Sequence, residues 1–129
     1  MQLGQLQELK PQLDELGYQI VAVSPDLPAR VKQTIDELGL EYELLSDSKM
    51  NLARAMGIAF QVDKRTLERY RKSGLDLEEY TGERHHLLPV PAVFIIGSDR
   101  IIRYEYVNPN HAVRPTPEII MAAAKMTLG

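Results

Sequence analysis

Two apolar runs, the first directly preceded by two prolines, constrain the possible folds of this chain more than any other feature. They lie in the segment LPVPAVFIIGSDRIIRYEYV, which starts at Leu88. The runs 92–96 and 101–107 are typical of buried strands, and the GSDR between them predicts a hairpin turn. Pro91 lacks the N–H that a strand ladder needs, so it suits the first position of a strand. The Val90–Pro91 bond is also one that adopts the cis form at modest cost.

The rest of the chain alternates between predicted helices and strands. Short β-branched or apolar runs predict strands in YQIVAVSP and in LEYELLSD. Pro11 is expected to kink or divide the first helix. Four helices are predicted from apolar spacing and from cap or stop residues: one ending at Gly17, one from an Asp26 cap to Gly39, a short one ending at Gly57, and one capped by Thr116.

Residues from about 61 to 88 are densely charged and are predicted to form an insert. Asp63 suits the cap of a helix that reaches about Lys72, and the remainder is expected to be a surface excursion from the main fold. Alternating elements followed by a hairpin indicate an α/β chain with a mixed sheet. The length of 129 residues predicts a single domain over residues 1–129.

Composition bears on several classes of function. A net charge of −3 argues against a nucleic-acid partner. No apolar run approaches the length of a membrane span, and the start has no signal-peptide pattern, so the expected location is the cytoplasm. The sequence contains no cysteine, which removes disulfides, thiolate nucleophiles and cysteine-ligated metals.

The histidines do not form a metal-ligand pattern. His85 and His86 are adjacent and have no further ligand at a suitable spacing, so a solvated loop is expected and no metal site is predicted. His111 stands in a polar loop and is interpreted in the same way.

Other polar residues also favour structural interpretations. Glu78 and Glu79 are expected on a solvated face. The stretch KRTLERYRK predicts an exposed helix face, with an anion-binding patch as the alternative. No phosphate-binding glycine motif is present, and no cofactor is predicted. Three serines near strand ends have no histidine placed to activate them and are interpreted as caps: Ser24, Ser46 and Ser48.

Nearly the whole chain resembles the peroxiredoxin superfamily, in its alkyl hydroperoxide reductase and thiol-specific antioxidant (AhpC/TSA) branch. Three segments carry the resemblance in the family's order: LGYQIVAVSPD, YELLSDSKMNLARAMGI and LPVPAVFIIGSDRIIRYEYVNPNHAVRPTPEIIMAA. The resemblance implies a thioredoxin-like three-layer α/β/α sandwich with a mixed sheet. It implies that Pro91 is a cis proline and that Val90 and Pro91 form a wall of the active site. It also implies that the first, central strand is missing.

The resemblance implies thiol chemistry, whereas this chain has no thiol. The family's peroxidatic cysteine is expected upstream of Met1, so the start is interpreted as a truncation, a mis-assigned start or a degenerate member. No residue of this chain is therefore predicted to be catalytic. Members of the family are thiol-dependent antioxidant oxidoreductases. The sequence does not decide whether this chain belongs to an enzyme. The chain alone is predicted to lack peroxidase and disulfide reductase activity, because peroxide reduction needs a thiolate.

Two hypotheses about function follow. In the first, the chain is an incomplete peroxiredoxin-like oxidoreductase whose full-length form uses a thioredoxin- or glutathione-type reductant. In the second, it is a non-catalytic thioredoxin-fold binding module. Without a central strand, the strands at Tyr18–Val23 and Ala92–Ile96 would expose unpaired backbone. They would either pair directly with each other or be covered by a second copy, and a homodimer is the favoured expectation.

Overall fold

The computed structural model describes residues 2–108 and 116–127. Within these residues, helices and strands alternate along most of the chain, as the sequence predicts. The elements in chain order are α1 (Gln2–Glu15), β1 (Val21–Ser24), α2 (Pro28–Leu38), β2 (Glu43–Ser46), α3 (Asn51–Ala55), β3 (Ala59–Gln61), α4 (Lys64–Lys72), α5 (Leu77–Thr81), β4 (Leu87–Pro89), β5 (Ala92–Ile96), β6 (Ile102–Val107) and α6 (Pro117–Met126). In the described part of the chain, no helix is long and apolar enough to cross a membrane.

The strands pair two by two. β1 pairs with β2, while β3 with β4 and β5 with β6 form antiparallel ladders. The mixed α/β class predicted from the sequence is thus confirmed, with the described strands in three small sheets. Within residues 2–108 and 116–127, β1 and β5 are not partners, so the direct pairing that the sequence left open is not formed.

The β5–β6 hairpin follows the sequence prediction closely. Its ladder starts at the pair Ala92 and Val107, and the register shifts by one residue between Ile95 and Ile96. The mouth of the hairpin is closed by a further bond, in which the Asn108 N–H donates to the carbonyl of Pro91 at 3.2 Å. Pro91 therefore stands directly before the strand, where its missing N–H costs no ladder bond.

The Val90–Pro91 bond is trans, so the predicted cis bond is wrong. Val90 and Pro91 are the two residues that join β4 to β5. Trans is the default for X–Pro by about 0.5–1 kcal/mol.

Two compact units are distinguished by their internal contacts. The first comprises the described residues within Met1–Val21, Leu40–Glu43 and Val90–Gly129. The second comprises Ala22–Gly39 and Leu44–Pro89. The expectation of a single domain over residues 1–129 stays a prediction.

The core of the first unit lies between α1, α6 and β5. Tyr18 extends this packing beyond the end of α1, because its hydroxyl donates to the carbonyl of Ala124 at 2.7 Å and lies 2.7 Å from the hydroxyl oxygen of Thr127. Burial of this apolar set is what holds the two helices against the hairpin. The buried members are Leu9, Leu13, Ile95, Ile120, Met121, Ala123 and Ala124.

The second unit has a smaller core inside the charged segment. Val62, Leu67 and Leu77 are buried together, with Tyr70 and Leu88 packed against them. Leu67 lies on α4 and Leu77 on α5, so the two helices present their few apolar residues to the same cluster. The helix predicted from an Asp63 cap to about Lys72 is α4. The remainder, predicted as a surface excursion, contains α5, which packs against α4.

Two local expectations differ from the structure. The N-cap of α2 is Leu27, not Asp26, and Leu27 makes no side-chain cap bond. Asp26 belongs to the turn before the helix, where its N–H donates to Ser24 Oγ and its carbonyl accepts from the Ser46 hydroxyl. Pro11 is expected from the sequence to kink or divide the first helix; helix α1 continues through Pro11 and is not divided, while the kink stays a prediction.

Candidate functional site

Val90 and Pro91, the predicted wall of an active site, are both half-buried. Pro91 has no N–H, and its carbonyl oxygen already accepts the bond from Asn108. Its ring is held at the start of β5 by the hairpin ladder that follows. The position therefore offers a rigid apolar surface and no backbone N–H to a bound molecule.

His85 and His86 lie in the loop between α5 and β4, as predicted, but their side chains are not fully solvated, so that part of the prediction is wrong. Both side chains are half-buried, and each ring has a hydrogen-bonding partner. The Nε2 of His85 lies 2.8 Å from the carbonyl oxygen of Ser48, and its Nδ1 accepts the Leu87 N–H at 2.9 Å. The Nε2 of His86 lies 3.1 Å from Glu78 Oε1. The adjacent rings thus have different partners.

Glu78 and Glu79 also have specific partners. Glu79 is exposed, and its Oε1 lies 3.3 Å from an Arg30 guanidinium nitrogen. The same guanidinium stacks 3.9 Å from the centre of the Tyr80 ring. Arg30 thereby fixes α2 against α5 by a cation–π contact and a surface ion pair. The solvated face predicted from the sequence applies to Glu79 and not to the half-buried Glu78.

The three serines do not cap helices, so that interpretation is wrong. Ser24 and Ser46 are the last residues of β1 and β2, and Ser48 lies in the turn before α3. The N-caps of α2 and α3 are Leu27 and Met50. Ser24 Oγ accepts the Asp26 N–H at 3.1 Å, and the Ser46 hydroxyl donates to the carbonyl of Asp26 at 2.5 Å. Ser48 contacts His85 through its backbone carbonyl and not through its hydroxyl. A histidine that binds a carbonyl does not activate a serine nucleophile, so the structure gives no serine–histidine pair here.

The basic stretch is the exposed face of α4, as predicted. Asp63 caps this helix by accepting the Thr66 N–H at 2.7 Å. This backbone bond, followed by the Thr66 side chain and the charges of Arg69 and Arg65, lowers the pKa of Asp63 below its ordinary value. Burial also raises the pKa of Tyr42 above its ordinary value.

Metal ligands do not gather in the described residues. Across 2–108 and 116–127, no group of three or more His, Cys, Asp or Glu side chains is placed to hold an ion. His111 lies outside the described residues.

Sequence reasoning missed the contacts that join distant segments. His85 meets Ser48 across 37 positions, and Arg30 meets Glu79 across 49. No local pattern could reveal these pairs.

Comparisons with known proteins agree on one family. A family model described as "AhpC/TSA family" matches residues 1–105. A protein named "Putative peroxiredoxin bcp" from Haemophilus influenzae is 36% identical over 53 residues, which is 41% of this chain and 34% of that protein.

Two solved structures share the fold. The crystal structure of Enterococcus faecalis AhpC superposes with a TM-score of 0.68 at 22% identity, covering 97% of this chain and 64% of that one. A cysteine-to-serine mutant of the peroxiredoxin 6 of Arenicola marina gives a TM-score of 0.64 at 21% identity, covering 96% of this chain and 52% of that one. The chain thus spans about a third of the sequence relative and between half and two-thirds of the two solved chains. The predicted thioredoxin-like α/β fold is confirmed by these structures.

Proposed function

We propose that this chain, which belongs to the AhpC/TSA family, takes part in the thiol-dependent reduction of peroxides or disulfides. Its role is to supply the fold and one wall of the active-site pocket. The family match over residues 1–105 carries the proposal. That match includes Val90, Pro91 and all of β5.

The chemistry of this class depends on sulfur. A thiolate attacks one oxygen of the peroxide, the O–O bond breaks, and the sulfur becomes a sulfenic acid. The other oxygen leaves as an alkoxide or hydroxide and takes up a proton. A second thiol then condenses with the sulfenic acid, so that water leaves and a disulfide forms. The 129 residues contain no cysteine, so the reacting sulfur has to come from outside them.

In this proposal Val90 and Pro91 line the pocket beside that sulfur. A proline without an N–H and with its carbonyl already bonded to Asn108 offers only an apolar surface. Such a surface excludes water next to a thiolate and accommodates the apolar part of a peroxide or disulfide.

The first test is the activity of the chain alone. Consumption of hydrogen peroxide is measured with dithiothreitol, with thioredoxin and with glutathione as reductants, and disulfide reduction is measured on insulin. We expect no turnover above a heat-denatured control, because the chain holds no thiolate. Turnover well above that control in any of these assays would contradict the assignment.

The second test concerns the source of the sulfur. Coding DNA upstream of Met1 that encodes, in frame, a strand-like run followed by a cysteine supports the proposal. In the protein that includes this cysteine, Pro91→Ala should slow the reaction of the thiol with peroxide, while Pro89→Ala serves as the matched control. Equal rates for the two variants would remove Pro91 from the pocket.

The alternative is a non-catalytic binding module with the same fold. It is favoured by the same observation, the lack of cysteine in all 129 residues. An in-frame stop codon directly upstream of Met1 supports this alternative and contradicts the first proposal.

The partners belong to the same proposal. A thioredoxin- or glutathione-type thiol is the proposed reductant of a cysteine-bearing form. The chain itself is proposed to form a homodimer, supported by exposed apolar side chains on its strands, among them Val21, Val23 and Ile96. A second copy that covers them removes apolar surface from water.

A further inference from the structure

His85 connects two backbone segments through both of its ring nitrogens. Its Nε2 lies 2.8 Å from the carbonyl oxygen of Ser48, and its Nδ1 lies 2.9 Å from the backbone nitrogen of Leu87. A carbonyl only accepts a hydrogen bond, so Nε2 must carry a hydrogen. A backbone N–H only donates, so Nδ1 must be bare. The neutral tautomer with hydrogen on Nε2 is the one state that satisfies both bonds.

The two anchors of His85 hold different elements. Ser48 lies in the turn between β2 and α3, next to Met50, which is buried and has a left-handed φ of 62°. Leu87 is the first residue of β4 and pairs with Gln61 of β3. The His85 ring therefore fastens the start of β4 to the turn before α3. From β4 the chain reaches Val90 and Pro91 without an intervening element.

His86 faces a carboxylate where His85 faces a carbonyl. Its Nε2 faces Glu78 Oε1 at 3.1 Å, which is an ion pair when the imidazole is protonated. Its backbone also holds the strand, because the carbonyl of His86 accepts the Val62 N–H at 2.9 Å. His86 has a left-handed φ of 53°, so the chain turns at this residue, directly before β4.

Within the described residues, no carboxylate forms a hydrogen bond or ion pair with the His85 ring, whose contacts are the Ser48 carbonyl and the Leu87 N–H. The turn that contains Ser48 carries Asp47 and Lys49, and the chain neighbours are Arg84 and His86. The carboxylate of Asp47 is occupied by the N–H groups of Leu52 and Ala53, at 3.1 and 3.0 Å. Glu78 of α5 is engaged with His86. Neither β3 nor β4 contains an ionisable side chain.

We propose that His85 is a proton-operated latch: a proton added at Nδ1 breaks its bond with the Leu87 N–H and frees that amide at the start of β4, while the bond from Nε2 to Ser48 remains. Two donors, the new N–H of the ring and the N–H of Leu87, would then face each other. An unperturbed imidazole changes charge between about pH 5 and 8, so the test compares these two pH values. The latch does not depend on the proposed redox function.

The test uses the whole chain and nuclear magnetic resonance. At pH 8 the ring ¹⁵N signals of His85 should show hydrogen on Nε2, and the Leu87 amide should be protected from hydrogen exchange. On titration to pH 5, the protection factor of Leu87 should fall about tenfold or more, with the midpoint of the His85 ring titration. Hydrogen on Nδ1 at pH 8, or equal protection at both pH values, would overturn the proposal.

Two variants separate the latch from its neighbour. His86→Gln leaves both bonds of His85 in place, so the pH response of Leu87 should persist. His85→Gln removes the titrating group, so the protection of Leu87 should no longer depend on pH. If the pH response of Leu87 disappears in His86→Gln and persists in His85→Gln, the switch is His86, and the proposal is refuted. The titration of the unmodified protein decides the question even if a variant does not fold.

Discussion

Tyr42 contributes to the stability of the fold through one buried hydroxyl. Its side chain is buried, and its hydroxyl donates to the carbonyl of Leu3 at 2.8 Å. Tyr42→Phe should lower the free energy of unfolding by about 1 kcal/mol, the usual net value of such a bond. Urea denaturation at pH 7 measures this loss. Tyr106→Phe is the matched control and should change stability less.

The raised pKa of Tyr42 adds a dependence on alkaline pH. Burial favours the neutral phenol, so the folded chain resists ionisation that the unfolded chain undergoes near 10. Below pH 10 the phenol is neutral in both states, so its ionisation does not reduce stability. The free energy of unfolding falls as the pH rises above 10, because the unfolded chain then loses a proton that the folded chain retains. The alkaline loss should be smaller in Tyr42→Phe than in the unmodified protein, and an equal loss would show that Tyr42 is not its source.

Asp63 gives the opposite dependence, at acid pH. The Thr66 N–H holds its pKa below the ordinary value of 3.8, so the cap stabilises α4 above that value and weakens as the pH falls through the lowered pKa. Asp63→Asn keeps a capping side chain without the charge. Thermal denaturation between about pH 2 and 5 should therefore depend less on pH in this variant. Asp36→Asn, on the exposed face of α2, should leave the profile unchanged.

At the scale of elements, the cap of α6 makes a measurable prediction. Thr116 is the N-cap, and its hydroxyl oxygen accepts the Ile119 N–H at 3.3 Å. Thr116→Ala should cost about 1 kcal/mol, as cap removals typically do. Thr34→Ala, inside α2, should cost less, because alanine has the better helix propensity. Urea denaturation compares the two, and equal losses would contradict a specific capping role.

The sequence predicted the elements whose signals are local. Gly17 and Gly39 end helices with left-handed φ values, and β5 has the predicted bounds. The strands β3 and β4 and the helix α5 were missed, because three or five residues are too few to show a period. The two strands form by pairing between distant residues, as at Phe60 and Leu88.

The site was predictable only in part, for a related reason. Pro91 could be placed at a strand start because the absence of its N–H is a property of the residue itself. The isomer of its peptide bond depends on the path between β4 and β5, and β4 was not foreseen. His85 and His86 gave no signal, since their partners Ser48 and Glu78 are fixed by the tertiary fold.

At the scale of the whole molecule, the proposed homodimer makes the main prediction. Val23 on β1 is 41% exposed, so a lysine there should disturb an interface that covers this strand. Sedimentation at micromolar concentration should show a dimer for the unmodified chain and a smaller dimer fraction for Val23→Lys. Leu38→Lys on α2, where leucine is 51% exposed, is the control and should remain dimeric. A monomeric unmodified chain would refute the dimer.

The β3–β4 ladder has a consequence for how this chain tolerates change in length. It brings together the two ends of a stretch, residues 62–86, that carries α4, α5 and its own apolar cluster. The entropy of closing such a loop grows only with the logarithm of its length, so doubling it costs about 0.6 kcal/mol. Insertions in the exposed turn at Ser73 and Gly74 should therefore be accepted more readily than in the tight turn of the β5–β6 hairpin. This stretch is where a tag or a second binding element is best introduced by design.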